Sequence, residues 1–124
     1  MSIERIQTGS RMSQAVIHNQ TVYLAGQVAT AAMGDSVAEQ TLEILSKIDA
    51  LLAAARTDKS KILSATIWLT DMSAFPEMNT IWDAWLVPGE VPARATVMSA
   101  RLASQNLKIE IAVIAALPDT LGLS

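Results

Sequence analysis

The sequence contains no cysteine and only one histidine, His18, among its 124 residues. The absence of cysteine excludes disulfide bonds, thiol nucleophiles and cysteine-ligated metals. A single histidine adds too few nitrogen ligands for a transition-metal site. The five glycines are too sparse for a phosphate-binding loop. We therefore expect no metal site and no nucleotide-phosphate loop.

Long apolar runs and clusters of positive charge are also missing. No apolar run approaches the roughly 20 residues that span a bilayer, and the first five residues lack the apolar core of a signal peptide. The chain has nine Lys and Arg and twelve Asp and Glu, which give a net charge of −3, and the basic residues are scattered along the sequence. Phosphate binding needs a clustered basic face. The sequence predicts a cytoplasmic protein with neither a membrane nor a nucleic acid as its partner.

What the sequence does contain is a high share of hydrophobic residues, 51% of the chain. A chain of this length and composition, without a low-complexity tract, is typical of one folded domain with a single core. We expect that domain to occupy residues 1–124, with a flexible tail from about Pro118.

Two stretches have the spacing of amphipathic helices. Ser36, with Glu39 three residues later, is a capping-box start for a helix that reaches about Arg56. A second helix is predicted from near Ser73 to the Pro88-Gly89 pair. Strand-like alternation fills most of the rest, over residues 3–8, 14–17, 21–28, 61–70, 91–100 and 107–115. The predicted order is β-β-β-α-β-α-β-β.

Arg94 and Glu110 are isolated charges inside two strand-like runs. Arg94 lies between two alanines, and Glu110 lies between two isoleucines. The two runs are joined closely enough to pair as neighbours, so we predict that both charges share one face of one sheet. A guanidinium beside a carboxylate would suit a small anionic substrate. The alternatives are a surface arginine on an edge strand, and a salt bridge from Glu110 to Lys108 or to a neighbouring chain.

Two helices cover only one face of so many strands. The other face is predicted to mix polar side chains with large apolar ones, which suits neither a core nor a solvated surface. This mixture favours a subunit interface in a closed homo-oligomer, with a site built from two chains. The residues predicted on that face are Ser64, Thr66, Trp68, Thr70, Arg94, Thr96, Met98, Lys108 and Glu110.

Seven short motifs, in the right order along nearly the whole chain, resemble the RidA (YjgF) family. No single motif is specific, but the ordered series is. The motifs are Ser13-Gln14-Ala15-Val16, Gly26-Gln27, Gln40-Thr41, Thr70-Asp71-Met72-Ser73-Ala74-Phe75, Met78-Asn79, Pro92-Ala93-Arg94 and Lys108-Ile109-Glu110-Ile111.

The resemblance implies a chorismate-mutase-like α+β fold, two helices packed on one face of the sheet, and a homotrimer with clefts between subunits. It implies hydrolysis of reactive enamine and imine acids, such as 2-aminoacrylate and 2-iminopropanoate, to 2-keto acids and ammonia, without cofactor or metal. Arg94 matches the carboxylate-binding arginine, and Glu110 matches the acid that acts as a general base or anchors water. Asn79 and Thr96 match weaker candidates for lining the substrate pocket.

The chain departs from the family pattern at two further pocket positions. Met12 stands where many relatives have a tyrosine, and Ala25 stands where a serine is usual. These changes remove two hydrogen-bond donors and leave the preferred substrate side chain open. They support a second hypothesis, in which the protein is a trimeric non-catalytic binder of small carboxylates with a chaperone-like or regulatory role. A third is deamination of a specialised aminomuconate-type enamine.

Overall fold

The computed structural model describes residues 2–119, which form one mixed sheet with two helices on one of its faces. The predicted α+β architecture is confirmed. The helices are α1 (Val37–Ala54) and α2 (Phe75–Trp85), and single 3-10 turns, Lys59–Lys61 and Met72–Ala74, precede β5 and α2. The strands are β1 (Glu4–Thr8), β2 (Ser13–His18), β3 (Thr21–Leu24), β4 (Gln27–Val28), β5 (Ile62–Leu69), β6 (Ala93–Met98) and β7 (Ile109–Ala116).

Helix α1 begins where the sequence predicts, because Ser36 caps it. The Ser36 hydroxyl accepts a hydrogen bond from the Glu39 backbone N–H at 3.1 Å, which satisfies one of the free donors of the first turn. The helix ends at Ala54, and Arg56 then takes a left-handed backbone conformation (φ 69°) that turns the chain away. One stripe of α1, including Ile44, Ile48 and Leu52, is fully buried against the sheet.

Helix α2 begins at Phe75 and ends at Trp85, three residues before the predicted Pro88-Gly89 stop. Pro76 lies in the first turn, where its missing N–H costs no helical hydrogen bond. Met78 and Trp82 are buried beneath the helix. The helix connects β5 to β6, which run parallel to each other.

The order of strands across the sheet is β1-β2-β3-β7-β5-β6, with β4 also paired to β7. The prediction that β6 and β7 are neighbours is therefore wrong, because β5 lies between them. The predicted strand 21–28 is divided at Ala25-Gly26 into β3 and β4, both antiparallel to β7. Strand β6 is at the edge, paired only on its β5 side within the described sheet.

The register places Arg94 and Glu110 on opposite faces. Arg94 pairs with Ala65 of β5, whose side chain is buried on the helix-covered face. Glu110 pairs with Trp68, whose side chain points the other way. Since neighbouring residues across a sheet share a face, the prediction that the two charges lie together is wrong for a single chain. Thr96 and Met98 lie on the same side of β6 as Arg94, so the prediction that they belong to the open face is also wrong.

The open face, defined as the face without helices, is consequently more apolar than predicted. Glu110 is the one charged residue in the three rows of paired residues that cross this face from β2 to β6, and Arg5 of the edge strand β1 ends the first row. Tyr23 and Val97 on this face are 45% and 43% exposed. The rows are Arg5–Val16–Tyr23–Ile114–Ser64–Ala93, Ala112–Thr66–Ala95, and Val28–Glu110–Trp68–Val97.

The end of the chain is held as far as Leu117, whose N–H donates to the Gln20 carbonyl at 2.9 Å. Pro118 and Asp119 have no regular secondary structure, and residues 120–124 of the predicted tail lie outside the described residues. Among residues 2–119, no helix is long and apolar enough to cross a membrane.

The ion pair between Glu4 and Arg56 joins the edge strand β1 to the end of α1. Both guanidinium Nη atoms donate to the carboxylate, at 2.9 and 3.1 Å. The hydrogen bonds from Arg56, and then its charge, lower the pKa of Glu4 below the ordinary value of 4.5. Because the pKa of Glu4 is lower in the folded state than in the unfolded state, the ion pair stabilises the fold fully at pH values above the unfolded-state pKa. This stabilisation is lost as the pH falls through the lowered pKa of the folded state.

We expect Glu4→Gln to lower the midpoint of urea unfolding at neutral pH. The difference from wild type should vanish at about pH 2, where the carboxylate is protonated in both states. Urea titrations followed by circular dichroism at several pH values measure this. Glu90→Gln, an exposed acid without an ion pair in the described structure, is the matched control. A midpoint shift that is equal at both pH values would contradict the electrostatic explanation.

Candidate functional site

Arg94 is half-buried between the edge strand β6 and helix α2. Its guanidinium carbon lies 5.6 Å from the ring centroids of both Phe75 and Trp82. Its Nη1 donates a hydrogen bond to Asn79 Oδ1 at 2.8 Å. Cation–π contacts within about 6 Å are attractive, so two rings and one amide hold the guanidinium in place.

The three residues that hold Arg94 form one stripe on α2. Phe75, Asn79 and Trp82 follow the i, i+4, i+7 spacing that places side chains on one face of a helix. Asn79 was predicted from the sequence as a pocket residue, but its contact with Arg94 and the part played by the two rings were not predicted. The signal that could have revealed the contact is an asparagine at the centre of an aromatic helical stripe.

The Arg94 guanidinium retains unused hydrogen-bond donors. It makes no ion pair within residues 2–119, where the two salt bridges are Lys47–Glu43 and Arg56–Glu4. A guanidinium has five N–H donors, and the contact with Asn79 uses one of them. A partly desolvated cation with a planar array of free donors suits a carboxylate ligand.

Thr96 follows Arg94 on the same side of β6. Its Oγ1 is buried and lacks a hydrogen-bond partner in the described part of the chain. Alternate residues of a strand are about 6.6 Å apart, so this hydroxyl lies within the length of a small acid bound to Arg94, and contact requires the atoms that cover it to move aside. Buried hydroxyls without a partner are uncommon, and a bound ligand would satisfy this one.

Glu110 lies on the open face with its carboxylate packed against the backbone of Gly26. A Cβ at Gly26 would overlap Glu110 Oε2 and lie 2.9 Å from Glu110 Cδ. Any side chain at position 26 would therefore displace the carboxylate, and this close approach explains the glycine. Glu110 makes no ion pair in the part of the chain that the structure describes.

Of the remaining predicted site residues, Ala25 adjoins Gly26 of this second group, and Met12 ends the connection between β1 and β2. Ala25 precedes Gly26, and its N–H donates to the Gln14 carbonyl at 2.9 Å. Met12 precedes β2 and is 48% exposed. The structure thus brings together Arg94, Asn79 and Thr96, which we call the arginine group. Glu110 lies with Gly26 and Ala25, which we call the glutamate group, on the opposite face of the sheet.

Among the concavities on the surface of residues 2–119 are four of about 260–490 Å³, and neither Arg94 nor Glu110 lines any of these four. The arginine group instead opens at the sheet edge beside β6, and the glutamate group opens on the uncovered face.

Comparison with known proteins places this arrangement in a family. The family model described as Endoribonuclease L-PSP matches residues 2–117. A RutC family protein of Haemophilus ducreyi is 45% identical over 115 residues, covering 93% of this chain and 97% of that protein. The chain belongs to the Endoribonuclease L-PSP family, which is the YjgF/RidA family.

Solved structures agree with this assignment. A member of the YjgF protein family from Neisseria meningitidis superposes with a TM-score of 0.92 at 40% identity, covering 97% of this chain and 98% of that one. A further relative by sequence, Reactive Intermediate Deaminase A of Arabidopsis thaliana, is 34% identical over 110 residues, which are 85% of this chain and 58% of that protein. The resemblance found in the sequence is confirmed.

Four of the seven family motifs supply residues to the two groups. Pro92-Ala93-Arg94 opens β6, and Met78-Asn79 places the amide on α2. Gly26-Gln27 and Lys108–Ile111 form the contact between Gly26 and Glu110. In this RidA-family chain the motif residues therefore collect into two sets, and the sheet separates them.

Proposed function

We propose that the protein hydrolyses reactive enamine and imine acids of the 2-aminoacrylate and 2-iminopropanoate type to 2-keto acids and ammonia. The observation that carries this proposal is the Arg94 guanidinium, which is held by Phe75, Trp82 and Asn79 while its other donors remain free. A relative named as a reactive intermediate deaminase supports the reaction class. The cytoplasmic location predicted from the sequence remains a prediction.

The chemistry needs a held carboxylate and a positioned water. Arg94 would bind the substrate carboxylate with two parallel hydrogen bonds, which fixes the neighbouring C=N carbon. Glu110 would accept a proton from water as its oxygen adds to that carbon. Glu110 would return that proton to the nitrogen of the tetrahedral adduct, and the proton of the adduct hydroxyl would pass to the same nitrogen as ammonia leaves and the carbonyl of the keto acid forms. An enamine substrate first gains a proton at carbon and becomes the imine.

The site would be shared between two chains of a homotrimer. The sheet separates the arginine group from the glutamate group within one chain, so one substrate cannot contact both there. Within residues 2–119 no layer covers the open face, and Glu110 is the one charged residue in its paired rows from β2 to β6, as expected of an interface core rather than a solvated surface. Packing that face against a neighbouring chain would bring its Glu110 toward another chain's β6 edge.

Thr96→Val separates a ligand-binding role for the hydroxyl from a structural one. Since the Oγ1 has no partner, its removal should leave stability unchanged or raise it by about 1 kcal/mol. If the hydroxyl contacts the substrate, kcat/KM should fall about tenfold, the value of one lost hydrogen bond. Thermal unfolding and imine hydrolysis measure the two effects. Thr96→Ser keeps the hydroxyl as control, and full activity of the valine variant would contradict the role.

The alternative function is a trimeric, non-catalytic binder of small carboxylates. Met12 and Ala25 favour it, because they leave the glutamate group without the phenol and hydroxyl that many relatives carry. Calorimetry with 2-ketobutyrate separates the two functions when combined with turnover measurements. Binding of the keto acid that depends on Arg94, without turnover of any imine, would support the binder and contradict the enzyme.

The direct test is a coupled assay in which an amino-acid oxidase generates the imine and the appearance of keto acid is followed. We expect the purified protein to accelerate this step for at least one imine from alanine, leucine, glutamate or an aromatic amino acid. No acceleration over background with the entire panel would overturn the proposed deaminase activity.

A further inference from the structure

A second set of unused polar groups lies in the groove between α1 and α2. The groove contains a cavity of about 340 Å³. This volume lies at the lower end of the range of about 300–1,000 Å³ that is usual for small-molecule sites. Apolar side chains form most of its wall, and one of them, Leu42, is 50% exposed. The lining residues are Leu42, Leu45, Ser46, Asp49, Lys59, Ile81, Ala84 and Trp85.

Two opposite charges flank the same indole in this groove. Trp85 Nε1 donates to Asp49 Oδ2 at 3.1 Å, and Lys59 Nζ lies 5.3 Å from the centroid of the Trp85 ring. Neither charge forms an ion pair within residues 2–119. The groove therefore offers a carboxylate and an ammonium beside a continuous apolar wall.

We propose that this groove binds a free α-amino acid with an apolar side chain. The ligand ammonium would pair with Asp49 and its carboxylate with Lys59, while its side chain would pack on Leu42, Ile81 and Ala84. Charge complementarity selects this ligand class, because an α-amino acid carries one charge of each sign next to an apolar group. A simple amine or a fatty acid would satisfy only one of the two charges.

The groove is in contact with the arginine group through two tryptophans. The rings of Trp85 and Trp82 lie 5.4 Å apart, and Trp82 also packs against Arg94. A ligand that shifts Trp85 would therefore alter the surface that holds the guanidinium. This coupling rests on the proposed function, whereas binding in the groove does not. Coupling of this kind is reciprocal, so a substrate at Arg94 would change the affinity of the groove by the same factor.

The experiment titrates the full-length protein with L-leucine, using calorimetry and the NMR signal of the Trp85 indole N–H. We expect saturable binding that shifts this signal. Isopentylamine and 4-methylpentanoate each lack one charged group of L-leucine and should bind at least about tenfold more weakly. The absence of saturable L-leucine binding up to about 50 mM would overturn the proposal. Equal affinity for either analogue would also overturn it, as would binding of an amphipathic peptide but not of L-leucine.

Matched variants assign the binding to the groove. Asp49→Asn keeps an acceptor for the Trp85 N–H but loses the charge, and Lys59→Met keeps an apolar stem. Each should weaken L-leucine binding at least about tenfold. Asp83→Asn and Lys61→Met change exposed charges outside the groove and should leave the affinity unchanged. Loss of L-leucine binding in Arg94→Met, with the groove variants unaffected, would place the ligand at Arg94 and overturn the proposal.

Discussion

Replacing Arg94 with methionine is expected to lower kcat/KM for imine hydrolysis by about 30-fold to several thousand-fold. The variant keeps an unbranched stem against Phe75 and Trp82 but removes every donor to the substrate carboxylate. The effect is large because the proposed ion pair forms in a partly desolvated place, where an unpaired substrate charge is costly. Initial rates of keto-acid formation over a range of imine concentrations measure the loss.

Arg94→Lys tests whether geometry matters as well as charge. Lysine keeps the positive charge but lacks the planar pair of donors and the broad face that stacks on the rings. We expect its activity to lie closer to that of the methionine variant than to wild type. Arg101→Lys, at an exposed arginine after β6, should keep full activity, and thermal unfolding shows whether each variant is folded. Wild-type activity in Arg94→Met would contradict the proposed role of Arg94.

The helices could be predicted from the sequence because their signals are local. Ser36 and Glu39 mark the start of α1, and hydrophobic periodicity marks its buried stripe. The end of α2 was predicted three residues too late, because the visible stop signals, Pro88 and Gly89, lie after the backbone has already left the helix at Leu86. Such signals show where a helix cannot continue, and the actual end depends on tertiary packing.

The faces of the sheet could not be predicted in the same way. Alternation inside each strand was correct, since Arg94 and Thr96 share one side of β6 and Glu110 lies opposite Ile109 and Ile111. How the side of one strand relates to the side of another depends on strand order, which is not a local property. Helix α2 makes β5 and β6 a parallel pair, and β7 then pairs on the other side of β5. The short connection between β6 and β7 led to the prediction that these two strands pair with each other, and this prediction placed Arg94 on the wrong face of the sheet.

The observed position of Arg94, on the face opposite to Glu110, favours a site shared between two chains. Arg94, Thr96 and Met98 lie on the helix-covered side of β6, so the β6 residues on the open face are Ala93, Ala95 and Val97. This apolar set is better suited to contact another chain than the set predicted. The position of Arg94 also means that no rearrangement of side chains could bring Arg94 and Glu110 to one substrate inside a single chain. If both residues act in one reaction, they must come from different copies.

Mixed oligomers test this requirement directly. Chains with Arg94→Met and chains with Glu110→Gln are each expected to be nearly inactive alone. When the two are co-expressed in equal amounts, each trimer that contains both kinds of chain should have about one site in three that combines an intact Arg94 from one chain with an intact Glu110 from its neighbour. Activity per chain of the mixed trimers should therefore rise to about a third of wild type. Differently tagged chains, purified through both tags and assayed for imine hydrolysis, measure the recovery.

A mixture of Arg94→Met and Arg94→Lys chains is the control, because no assembly of these chains contains an arginine at position 94. Recovery in the first mixture but not in the second requires that the two side chains reach the substrate from different subunits. A mixture that assembles and stays inactive would instead mean that Arg94 and Glu110 do not complement each other across chains. Since the sheet keeps them on opposite faces of one chain, Glu110 would then have no part in the chemistry at Arg94, and another group would have to position the water.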